Sequence, residues 1–72
     1  MTYIDYLERI RDNLIYQLMP SRAVLDAIER EFVEIFPGDY EIKIDIPNEH
    51  TVEIHIKFED VLKQIEWKLR YG

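Results

Sequence analysis

Two histidines, fifteen carboxylates and one tryptophan are the side chains in this chain with the most chemical reach. Their spacing limits what each can do. His50 and His55 fall within EIKIDIPNEHTVEIHIKF, residues 41–58. On a strand that odd spacing would put the two rings on opposite faces, and His50 falls where the chain must turn. Glu53 shares a face with His55, but two ligands are too few to hold a metal. Both histidines read as solvated, and no metal site is expected.

Paired carboxylates could do acid–base work, and Asp45 with Glu53 is the best pair. Two acids held together raise one pKa. Proton transfer chemistry also needs a concave site that excludes water, and the outer face of a hairpin offers none. Other catalytic devices are missing from the sequence. Ser21 is the only serine and reads better as a helix cap; there is no cysteine, and glycine occurs only twice. Neither a nucleophile elbow nor a phosphate-cradling loop can be built from that set. The chain is read as a non-enzyme without a cofactor.

The sharpest feature is a stripe near the C-terminus, Lys63, Trp67, Arg70 and Tyr71. Trp, Tyr and Arg dominate the residues that carry binding energy at protein interfaces. Aromatic rings beside basic residues can also stack on single-stranded nucleic acid. Alternatively, the last helix is covered on both sides and Trp67 packs on the helices before it.

These residues need elements to position them. Residues 3–19 have helical periodicity, with Tyr3, Leu7, Ile10, Leu14 and Leu18 on one arc. Thr2 can cap that helix, and Pro20 stops it. Ser21 caps a second helix over 22–36, whose inner face is Val24, Leu25, Ile28, Phe32, Ile35 and Phe36. Asp26/Arg30 and Arg30/Glu34 can pair along its flank. Pro37-Gly38 ends it, and the tight link makes the two helices a helical hairpin.

Strict alternation then predicts strands at 41–46 and 52–58. Both apolar sets must share a face, so paired residue numbers must have an even sum. A sum of 98 pairs Ile42 with Ile56, Ile44 with Ile54 and Ile46 with Val52. It also pairs Glu41 with Lys57, Lys43 with His55 and Asp45 with Glu53. Pro47 to Thr51 are left as the connection, with Asn48 at positive φ. A last helix spans 59–71, with Val61, Leu62, Ile65 and Leu69 as its buried stripe and Trp67 opposite. The expected architecture is α+β, in the order α-α-β-β-α, as a single domain over residues 1–72.

Composition bounds the function. Residues 39–58 hold five acids against two lysines, and the whole chain carries −6. Nine basic residues against fifteen acidic ones speak against non-specific nucleic-acid binding. No signal peptide or membrane span is visible, and the lack of cysteine fits a reducing compartment, so a cytoplasmic protein is expected. A core this small supplies only roughly 3–5 kcal/mol. Self-association is the staple that remains. The strand interiors hold no proline, glycine or inward charge to blunt their edges, so edge pairing with a second copy is one route to a dimer.

The leading expectation is a small acidic protein-interaction protein, a homodimer acting as an adaptor, assembly or regulatory factor. Its partners would be a second copy and another protein, bound through the Trp67 stripe or the hairpin. The same element order recurs in small phage and viral assembly proteins, an analogy of fold that does not itself give function. The alternative is an acidic mimic of nucleic acid, using Glu41, Asp45, Glu49 and Glu53. A third reading is a single-stranded nucleic-acid binder using Lys63, Trp67, Arg70 and Tyr71.

Overall fold

The computed structural model describes residues 1–17 and 20–72. Its elements are α1 (Tyr3–Ile15), α2 (Arg22–Ile35), β1 (Tyr40–Asn48), β2 (Thr51–Phe58) and α3 (Val61–Tyr71). The α+β class and the order α-α-β-β-α are as the sequence predicts, with β1 and β2 forming one antiparallel sheet.

Each helix starts where a side chain satisfies free backbone donors. Thr2 and Asp5 form a reciprocal capping box on α1. Ser21 accepts from the Val24 N–H, and Asp60 accepts from the Leu62 N–H at 2.8 Å. Asp60 is therefore the cap of α3 and not, with Glu59, part of its first turn. Helix α1 ends at Ile15, earlier than Pro20 requires. Ile15 and Tyr16, at its end, are exposed. The Gln17 N–H instead closes a tight turn on the Leu14 carbonyl at 3.1 Å. Leu18, expected on the buried arc, lies outside the described residues, as does Met19.

The register matches the even-sum argument from Glu41↔Lys57 through Ile44↔Ile54 to Asp45↔Glu53. It then slips, and Asn48 pairs with Thr51. Ile46 and Pro47 together oppose Val52, where the sequence reading had Ile46 alone. This is a bulge, the usual home for a proline that has no N–H to give a ladder. The connection shrinks to Glu49-His50. Asn48 holds it by accepting the His50 N–H on its side chain at 2.9 Å.

All three helices lie on the isoleucine face of the sheet, with α2 closest to β1 and α1 and α3 closest to β2. The core has two halves. Near the hairpin turn Ile10, Leu14, Leu25 and Ile44 are buried, with Ile46, Val52 and Ile54 against them. At the other end Phe32, Phe36 and Trp67 are buried among Tyr3, Tyr6, Tyr40, Phe58 and Tyr71. Leu25 and Phe32 of α2, and Phe36 just after it, are buried as expected, whereas Val24 and Ile35 are exposed.

The aromatic half reverses the expected orientation of α3. Trp67 is 5% exposed, whereas Val61, Leu62, Ile65 and Leu69 are 69, 68, 50 and 81% exposed. Both faces of α3 are apolar, so periodicity cannot choose between them. The choice is made by the cavity that the rest of the fold offers. The indole centroid stands 4.6 Å from Tyr3, 5.1 Å from Tyr40 and 5.4 Å from Phe58. Its Nε1–H donates to the Phe36 carbonyl at 3.3 Å. An aromatic ring buries more apolar area than a leucine, and tilted ring pairs add about 0.5–1.5 kcal/mol each.

Gly38 makes room for the ring. A Cβ there would stand 2.6 Å from Trp67 Cδ1 and 3.0 Å from Tyr40. Gly38→Ala is thus expected to cost roughly 1–3 kcal/mol through overpacking, and Trp67→Ala roughly 3–5 kcal/mol, both read by urea titration. The single tryptophan should fluoresce blue-shifted and resist iodide quenching in the wild type. Emission like that of free tryptophan would contradict the buried placement.

Two tyrosines of this layer are pushed up to about 12, from an ordinary 10.0. For Tyr6 the causes are burial and then the Glu31 carboxylate; for Tyr40 they are burial and then Tyr71. The Tyr40 hydroxyl donates to the Phe36 carbonyl. A raised folded pKa stabilises the neutral form, so this contribution is whole below about pH 10 and is lost as pH rises towards about 12. The thermal midpoint should fall across that window, and a flat midpoint there would exclude the effect.

Candidate functional site

The predicted stripe splits by burial. Trp67 is inside, and Tyr71 is half-buried against Phe36 at 5.4 Å. Lys63 and Arg70 are exposed shoulders. The Lys63 ammonium pairs with Asp39, which raises the lysine pKa and lowers the aspartate's. The Arg70 guanidinium lies 5.6 Å from the centroid of the Tyr71 ring. Lys63 and Trp67 tie α3 to Asp39 and Tyr40 at the start of β1, and Tyr71 packs on Phe36 at the end of α2. They present no free indole, so base stacking on Trp67 has no ring face to use. The surface that α3 does present is the aliphatic stripe of Val61, Leu62, Ile65 and Leu69. The expectation that this stripe is buried within the protomer is overturned.

The outer face of the sheet alternates in sign. Glu41 faces Lys57 across the strands, and Lys43 faces His55. Asp45 and Glu53 stand opposite each other as expected, but basic side chains sit beside them. Asp45 is 3.9 Å from Lys43 and 3.6 Å from Arg22, and Glu53 is 3.3 Å from the His55 ring. Glu49 is exposed in the turn beside His50. The candidate acids Glu41, Asp45, Glu49 and Glu53 are therefore interrupted by lysine and arginine. A phosphate mimic needs an unbroken array of carboxylates.

The edge of β1 carries a device that the sequence reading missed. In an antiparallel ladder alternate residues turn their backbone groups outward, and Ile44 does so here. Its N–H donates to Glu29 Oε1 at 3.1 Å, and its carbonyl accepts from Arg22 Nη1 at 2.9 Å. Arg22 and Glu29 are themselves joined at 2.7 Å, and Asp26 holds the Arg22 Nε at 2.9 Å. Two side chains of α2 thus replace a neighbouring strand at the middle of β1. The edge is blunted after all, from outside the strand. Among the described residues no equivalent plug forms on β2. The signal in the sequence was Arg22 with acids at i+4 and i+7; the pairs expected at Arg30 do not form.

Among the described residues no group of three or more metal-ligating side chains comes together. No helix among them is long and apolar enough to cross a membrane. No family model, curated protein or solved structure matches the chain.

Removing the plug should expose the strand edge. Glu29→Ala frees the Ile44 N–H and removes one of the carboxylates that hold Arg22. It is expected to lower stability by roughly 1–3 kcal/mol and to raise light scattering with concentration. Unchanged denaturation and scattering would show that the β1 edge needs no guard.

Proposed function

We propose that this chain is a non-enzymatic protein-interaction protein that works as a homodimer, in the role of an adaptor, assembly or regulatory factor. The observation that supports this is the outer face of α3. Four aliphatic side chains, each at least half exposed, stand in one stripe on an 11-residue helix. Exposed apolar residues scattered singly are normal, but aligned ones on one helix face mark an interaction surface. We assign this role to the outer face of α3 and not to the Trp67 face, because Trp67 is buried.

Fully burying a Val, Leu or Ile side chain is worth about 1.5–3 kcal/mol. Two partly exposed stripes of four give on the order of 10 kcal/mol, against an association cost of about 4–15 kcal/mol. The margin is small. The dimer is therefore expected to form and dissolve with protein concentration.

The acidic-mimic reading draws no support from the alternating sheet face, and the nucleic-acid reading loses its indole. Size-exclusion chromatography with light scattering tests the proposal. Wild-type protein should move from monomer to dimer mass across micromolar concentrations. Leu62→Glu combined with Leu69→Glu should stay monomeric while Trp67 emission is unchanged. A wild-type monomer at every concentration, or a double variant that dimerises as well as wild type, would overturn the reading.

A further inference from the structure

Among the described residues the backbone edge of β2 has no cover. Ile44 turns its N–H and carbonyl outward, to the Glu29 and Arg22 side chains. Residues opposite one another in an antiparallel ladder share that orientation. Ile54, opposite Ile44, therefore turns its backbone groups away from β1, and so do Val52, Ile56 and Phe58 along the same strand. The side chains of these four residues form the inner face of β2. They are only half-buried, whereas Ile44 is fully buried. An edge with free backbone groups beside a half-covered apolar face recruits another strand.

We infer that β2 pairs with β2 of a second copy, antiparallel, about a two-fold axis normal to the sheet at His55. This rests on the homodimer reading above and adds the strand, its orientation and its register. A parallel pairing of the same two edges would turn the isoleucine faces to opposite sides of the sheet. The antiparallel pairing keeps both on one side, and paired residue numbers then need an even sum.

The charges choose among the even sums. At 110, Glu53 meets Lys57 of the other copy, and the contact occurs twice. Within its own copy Glu53 faces Asp45, so the incoming lysine offsets a like-charge pair that the protomer already contains. Ile54 exchanges backbone bonds with Ile56, and Val52 with Phe58, while His55 meets itself at the axis. A sum of 106 would set Glu53 against itself, and 112 would set Lys57 against His55. A sum of 108 leaves Phe58 outside the ladder and Lys57 opposite Thr51. Self-complementarity about a two-fold axis is what an isologous interface requires. The helices closest to β2 are α1 and α3. Those of both copies therefore come to one face of a four-stranded sheet, near its seam.

The chain has no cysteine, so single replacements report position without interference. Copies carrying Glu53→Cys, mixed with isotopically heavy copies carrying Lys57→Cys, should oxidise mainly to the mixed disulfide, because these positions form a close, non-hydrogen-bonded pair in the new ladder. The amides of Ile54 and Ile56 should exchange hydrogen slowly in the dimer and fast in the dilute monomer. Glu53→Lys removes the acid pair with Asp45, so the protomer should be no less stable in urea. Dimerisation should nevertheless weaken about 3–10-fold, and adding Lys57→Glu should restore it.

A dimer whose Ile54 and Ile56 amides exchange as in the monomer would overturn the β2 pairing and leave the homodimer reading intact. So would disulfides between like positions in preference to the mixed one, or a charge swap that fails to restore affinity. A chain that stays monomeric at every concentration would overturn both.

Discussion

The burial of Trp67 is the constraint on which the rest of the structure depends. The ring is admitted by the missing side chain at Gly38 and tethered by its bond to the Phe36 carbonyl. The same carbonyl accepts the Tyr40 hydroxyl. One backbone oxygen at the end of α2 thus ties together α2, β1 and α3. Once the indole is inside, the opposite face of an amphipathic helix must be outside. The aliphatic stripe is exposed because Trp67 is buried, and no separate cause is needed.

The second constraint concerns the sheet. A two-stranded sheet has open edges on both sides and little stability of its own. Here α2 does more than cover the isoleucine face. It reaches round the rim with Arg22 and Glu29 and satisfies both backbone groups of Ile44, while Ile44 itself is fully buried. The central residue of β1 is held by packing on one side and by side-chain hydrogen bonds at its edge. Self-association through that part of β1 would first have to break the plug, whereas the α3 stripe is open from the start.

Local signals in the sequence were read well because local physics fixed them. Period-two alternation set the strands and their register as far as Asp45 and Glu53. Ser21 and Thr2 fixed the starts of their helices. Three features were beyond reach for physical reasons. The bulge at Ile46-Pro47 comes from proline in a ladder, and alternation alone cannot show where the pairing slips. The Arg22–Glu29 plug joins α2 to a strand edge that only tertiary packing brings near. The orientation of α3 turned on whether the fold leaves an indole-sized cavity. Spacing showed Trp67 and the Val61–Leu69 stripe on opposite faces. It could not show which face the cavity would take, so which side of α3 stays exposed was not legible.

The exposed stripe also bears on the stability of the protomer. Helix α3 is short, and an isolated helix of its length is marginal in water. It is held by one buried ring, the half-buried Tyr71 and an exposed ion pair to Asp39, which contributes little. Covering its outer face would hold it from both sides. Any molecule that binds only the docked helix then stabilises the aromatic half of the core as well. Any association through the stripe would be linked to folding through Trp67, because the residue that turns the stripe outward is the one that anchors the helix presenting it.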